Sequence, residues 1–170
     1  MSPAKSARSV CPAGLVSCLV LGLVLATVGC ASAHPAQHRS QHSVRALAAD
    51  YLAIARPANH RLDVAVEAYA EHAHHDLAAA EAALRFEAAI ERQFDRQLAA
   101  IRFPPAIAAT SSALIRVNEI RASMTEQQAR ARSIPALLSF AAAHKMADAQ
   151  VEAQVRVIRA QLGLPPPSTS

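Results

Sequence analysis

The side chains able to do chemistry in this chain are few, and they fall into three groups. The first is Glu71-His72-Ala73-His74-His75-Asp76. Glu71 and His74 stand three residues apart, which on a helix puts carboxylate and imidazole on one face. Di-metal carboxylate bundles use that device twice and add glutamates from two further helices. Here it occurs once, at an expected helix end, so Glu71, His72, His74 and His75 are metal-ligand candidates whose favoured reading is a solvated turn. The second group is His34, His38 and His42, four apart in a polar stretch, where only a helix would give their spacing a geometry. The third consists of polar residues on or beside apolar stripes: Glu87 and Glu91, Asn118 and Arg121, His144 and Asp148. A buried charge is costly unless paired, so these groups must meet in a polar layer or open toward water. Buried polar networks mostly specify packing, which favours a structural layer over a ligand pocket.

What the chain lacks narrows its function further. After Cys30 the only glycine is Gly163, so no glycine-rich loop can build a phosphate or oxyanion nest. Serines and threonines fall at caps or on helix faces without an evident base, and no nucleophile, base and orienting group form a trio. The expectation is a protein that is not an enzyme and carries no cofactor. Removing Lys5 and Arg8 from the 17 Lys and Arg leaves 15 against 13 Asp and Glu, a near balance that argues against a nucleic-acid partner. The small positive excess suits solvation beside an anionic membrane surface.

The elements that must position these groups are helical. Residues 30–43, rich in His, Gln and Ser with no apolar period, read as a flexible tether. A domain follows over 44–163, then a Pro-rich polar tail over 164–170. A first helix is predicted from about Ser43 to His72, presenting Val44, Ala48, Tyr51, Ala55, Ala58, Leu62, Ala65 and Tyr69. Pro57 should bend or split it. A second, from about Asp76 to Arg102, presents Ala83, Phe86, Ile90, Phe94, Leu98 and Ile101. The third, Pro105 to Ala129, presents Ile107, Ala113, Leu114, Val117, Ile120 and Met124. A fourth starts at the Ser133 cap and carries Leu137, Ala141, His144, Asp148, Val151, Val155, Ile158 and Leu162 to a stop at Gly163. Four amphipathic helices on short turns predict an all-α, up-down-up-down antiparallel four-helix bundle with a kinked first helix. Alanine-rich stripes should bury little area per layer.

The N-terminus supplies an address. Lys5 and Arg8 precede an apolar run from about Gly14 to Val28, shorter than the roughly 20 residues that span a bilayer comfortably, so residues 1–29 read as a signal segment that is removed. Thr27-Val28-Gly29-Cys30 resembles the lipobox of bacterial prolipoproteins, with Thr27 where Leu is commoner. The resemblance implies that the Cys30 thiol becomes a diacylglyceryl thioether, that the chain is cut before Cys30, and that the new N-terminus is acylated again, usually with palmitate. Ala31-Ser32-Ala33 also fits an ordinary signal cleavage site, which remains the alternative. Cys11 and Cys18 lie inside the signal, and acylation accounts for the single cysteine left over.

Tyr51-Leu52-Ala53-Ile54-Ala55-Arg56-Pro57-Ala58-Asn59, with the closing Ala160-Gln161-Leu162-Gly163-Leu164-Pro165-Pro166-Pro167, resembles small Ala/Arg-rich lipoproteins of actinobacterial type that have no assigned activity. That likeness implies a cell-envelope helical bundle and carries over no catalytic residue. The expected function is a non-enzymatic protein anchored to the outer face of the cell membrane through Cys30, docking an envelope protein or organising the wall. The alternative is a metal- or small-ligand-binding lipoprotein.

Overall fold

A computed structural model describes the backbone of residues 35–167 and the side chains of residues 43–167. The signal segment, Cys30 and the first residues of the expected tether lie outside the described residues, as does the end of the tail. All the regular structure described is helical: α1 Pro35–His72, α2 Leu77–Ala100, α3 Pro105–Gln128, α4 Ile134–Leu138 and α5 Ala141–Gln161. No helix among the described residues is long and apolar enough to cross a membrane.

Each boundary has a local cause. The Asp76 carboxylate accepts from the Ala79 N–H at 3.0 Å and caps α2, satisfying a donor that the first turn leaves open. Pro104 and Pro105 end one helix and start the next, since proline suits the first helical position, where no donor is needed. Ser133 caps α4 through Ala136 N–H. Gly163 leaves α5 at φ 66°, with Gly163 N–H on Ala160 O and Leu164 N–H on Arg159 O, the paired bonds of a Schellman ending.

Two helix bounds differ from those expected, and of the two effects expected of Pro57 a split is absent. The helix begins at Pro35, ahead of the start expected near Ser43: proline opens the helix, and nothing from there to Ser43 is a helix breaker. Pro57 does not split α1. It is solvent-exposed, and the carbonyl it deprives of a donor belongs to Ala53, also exposed, where water can serve it. The fourth helix is broken at Ser139 and Phe140 into the five-residue α4 and the longer α5. Ser139 Oγ donates to Ala136 O at 2.7 Å, closing the α4 turn locally.

Packing runs in sequence, α1 on α2, α2 on α3 and α3 on α5. The largest apolar cluster joins Ala48, Tyr51 and Ala55 of α1, Leu98 of α2, Ile107 and Leu114 of α3, and Ile158 with Leu162 at the end of α5. A smaller one gathers Ala73, Ala80, Leu84, Ala129 and Leu137. Two large side chains expected in the core are outside it. Phe86 is 43 % exposed beneath the Arg61 guanidinium, 5.4 Å from its ring centre, and Ile120 is 56 % exposed.

Candidate functional site

The inward face of α3 changes character along its length. Ile107, Ser111 and Leu114 come first, then Asn118, Ala122, Thr125 and Gln128, all buried. The facing stripe of α2 buries Glu87, Glu91 and Asp95 among Leu84, Ala88, Ile90 and Leu98. Polar groups from the two helices, joined by the start of α5, therefore meet in the middle of the domain.

Arg121 is the centre of that layer. Its Nη2 meets Glu87 Oε1 at 2.8 Å, its Nη1 meets Glu91 Oε1, and its Nε donates to Asp148 Oδ1 at 2.5 Å. Three carboxylates from α2 and α5 thus hold one guanidinium from α3. Burial alone would lower the guanidinium's pKa, but the charges of Glu87 and Asp148 outweigh it and raise the value, so Arg121 stays charged. His144, one turn before Asp148, faces the same groups. Burial first, and then the Arg121 charge, push its pKa below the ordinary imidazole value against the pull of Asp148 and Glu87. Its Nε2 is buried with no hydrogen-bond partner.

Two further links were not anticipated. Asn118 Nδ2 donates to Asp95 Oδ1 at 3.0 Å, so Asn118 serves Asp95 and not Arg121. Asp95 Oδ2 has no partner, and burial, opposed by the Asn118 bond, pushes its pKa up to about 6. Gln128 Nε2 donates to Tyr69 Oη at 3.0 Å and to Leu137 O at 2.9 Å, tying α1, α3 and α4 together. The signal for Thr125 and Gln128 was the four-three spacing continuing from Ile107 and Leu114 along α3, and for Asp95 the same spacing from Glu87 and Glu91 to Leu98 along α2. Ile120 and Met124 suit an apolar stripe by residue type, but the spacing carries Thr125 and Gln128 inward instead.

Beside the layer lies a cleft of about 350 Å³. Its lining combines apolar Val66, Leu84, Leu138 and Ala141 with polar Tyr69, Glu87, Arg121, Gln128, His144 and Asp148. The Tyr69 phenol is pushed above its usual pKa by burial, opposed by the Gln128 bond and reinforced by the Glu87 charge, so it remains protonated.

The first histidine group assembles differently. Glu71 is exposed in the last turn of α1, while His74 falls in the following turn outside the helix, which removes the shared face that a Glu-x-x-His pair requires. The His72 and His75 rings meet edge to face at 5.8 Å, and His72 Nδ1 is buried without a partner. Among the described residues no three His, Cys, Asp or Glu side chains converge in a way that could hold a metal ion.

No family model matches this chain, and neither a curated protein nor a solved structure does.

Proposed function

We propose that the chain is a lipid-anchored protein of the cell envelope, with residues 44–163 forming an up-down-up-down antiparallel four-helix bundle that binds or scaffolds and does not catalyse. The anchor rests on Thr27-Val28-Gly29-Cys30 and on Cys30 being the one cysteine outside the signal. The bundle topology is supported by sequential packing across four-residue connections at 73–76 and 101–104, too short for anything but a reversal of direction.

The observation that carries the non-catalytic reading is the engagement of Arg121. All three of its nitrogens meet carboxylates from within the fold, and those carboxylates are thereby committed to cross-linking helices. Such a layer fixes which helix lies beside which. A second reading, a small-ligand-binding lipoprotein, is favoured by one specific feature: the cleft lined by His144, whose Nε2 is buried without a partner.

Cys30→Ala tests the anchor. The expected outcome is loss of the protein from the membrane fraction, with a mass showing no acyl groups and no cleavage before residue 30. A single acyl chain holds a protein only marginally, so the thioether diacylglyceryl group is the part whose loss matters. Retention and processing unchanged in that variant would remove the anchor from the account.

A further inference from the structure

On the small-ligand reading, the cleft between α1, α2, α3, α4 and α5 selects its occupant by chemistry, and the choice of occupant rests on that reading. Its size, about 350 Å³, falls within the roughly 300–1,000 Å³ of small-molecule sites. Its lining combines aliphatic residues, Leu84 and Leu138 among them, with polar ones, Glu87, Arg121, His144 and Asp148.

The polar residues are not set up for an anion. An anionic ligand would need the guanidinium, and Nη1, Nη2 and Nε of Arg121 each already face a carboxylate. Three carboxylates around one guanidinium leave a local surplus of two negative charges. Glu87 and Glu91 hold their share deep in the fold, their side chains 7 % and 2 % exposed, whereas the Asp148 side chain is 51 % exposed and engages Arg121 through Oδ1. Asp148 Oδ2 is therefore the carboxylate oxygen best placed to receive a donor from outside. His144 adds a second acceptor. His144 lines the same cleft, burial and then the Arg121 charge push its pKa below the ordinary imidazole value, and its buried Nε2 has no protein partner. An unpartnered buried polar atom is costly to leave unmatched, so a ligand that donates to it gains what the protein does not supply.

We infer that this cleft takes a small organic cation, a primary ammonium carrying a short branched aliphatic body. The ammonium donates to Asp148 Oδ2 and His144 Nε2, and the aliphatic part lies along Leu84 and Leu138. The surplus negative charge draws the cation in, and the aliphatic lining excludes strongly hydrated inorganic cations.

The experiment uses the full chain in detergent micelles, titrated calorimetrically with isopentylamine, isopentanol and isovalerate, with micelle-only titrations subtracted. These probes share an aliphatic body and differ in charge. The expected result is saturable binding of isopentylamine, with the alcohol and the carboxylate at least about tenfold weaker. Asp148→Asn and His144→Leu should each weaken isopentylamine about tenfold at unchanged helicity, while Glu152→Gln, paired with Arg156 on the same helix, should bind like the parent. Equal binding of isopentanol or isovalerate overturns the cation while leaving a ligand-binding cleft. No binding of any probe overturns both. Undiminished isopentylamine binding by Asp148→Asn and His144→Leu overturns the placement.

Discussion

The two ends of the helical domain are built on different terms. At one end Leu98, Leu114, Ile158 and Leu162 close around Tyr51, with Phe94, Ile101 and Val155 packed outside them. At the other end the cluster is mostly alanine, with Leu84 and Leu137 as its large buried members, and its cohesion leans on Gln128 bridging Tyr69 and the Leu137 carbonyl. The first end holds by area removed from water. The second holds by satisfied hydrogen bonds, and that is the end where the last helical segment breaks and the cleft opens. A polar layer around Arg121 separates the two. The difference teaches that alanine-rich helices can approach closely without filling the space between them, so where large side chains run out, polar side chains decide how the helices sit.

The sharpest way to break this contrast is to remove the layer. Arg121→Ala leaves Glu87 and Glu91 buried and uncompensated, and should destabilise the domain by about 3–5 kcal/mol in urea unfolding. A loss below about 1 kcal/mol would mean that water already serves the carboxylates and that the layer does not divide the core. Next come the two ends themselves. Leu98→Ala and Leu137→Ala each truncate a side chain that is 0 % exposed. The first should cost about 3–4 kcal/mol, since its neighbours on four helices cannot collapse into the space, and the second about 2 kcal/mol, since the short α4 can settle inward. Equal losses would erase the distinction between the ends.

A smaller effect sharpens the role of the layer's edge. Asp95 holds its proton up to about pH 6 in the fold and would release it near its ordinary 3.8 when unfolded. Between those values the folded state binds more protons, so the Asp95 contribution to stability falls as pH rises through that window and stays low above it. Asn118 faces Asp95 directly, and Glu119, Arg92 and Arg96 act on it from nearby. Asp95→Asn has no charge to bury and should gain about 1–2 kcal/mol over the parent at pH 7.5, with the gain vanishing at pH 3.5. His144 works in the opposite direction. Its depressed pKa keeps it neutral where the unfolded chain is protonated, so its contribution is lost as pH falls below the ordinary 6.5. The expected signature is a stability profile whose slope between pH 4 and 6 becomes more positive in Asp95→Asn than in the parent, because the falling Asp95 contribution has been removed. The smallest change is Ser133→Ala, which should cost about 1 kcal/mol or less and raise amide exchange in α4 alone, because the cap serves one short helix. Faster exchange in α2 or α3 would show that the polar end is one cooperative unit.

The parts of this fold that were legible in the sequence are those with a local cause. Asp76 and Ser133 as caps, Pro105 as a helix start and Gly163 as a stop act within a few residues, and the structure places them so. Glu87, Glu91, Arg121 and Asp148 were legible as a set because charges on an apolar stripe must find one another, and they do. What escaped depends on contacts between distant segments. The break at Ser139 and Phe140 lies between two anchors, the Leu137 carbonyl on Gln128 and Ile158 in the cluster of Leu98, whose partners lie on other helices. Asp95 and Gln128 were missed because their partners, Asn118 and Tyr69, lie 23 and 59 residues away. Phe86 misled for the converse reason: its size argued for burial, yet a guanidinium covers it at the surface.

The Schellman ending at Gly163 has a consequence in time as well as in space. It turns the chain back so that Arg159 Nε holds the Pro165 carbonyl at 2.7 Å and Leu164 packs on the same apolar cluster as Leu47 and Ala48, near the start of the domain. The better-filled end is therefore sealed by the first and last parts of the domain together. A polypeptide delivered from its N-terminus can form α1, α2 and α3 against one another as they emerge, but it cannot close that end until its final residues arrive. Until then Tyr51 and Leu114 remain uncovered, which makes the interval before completion the period in which this chain is most open to capture by a chaperone or to misassociation with another copy.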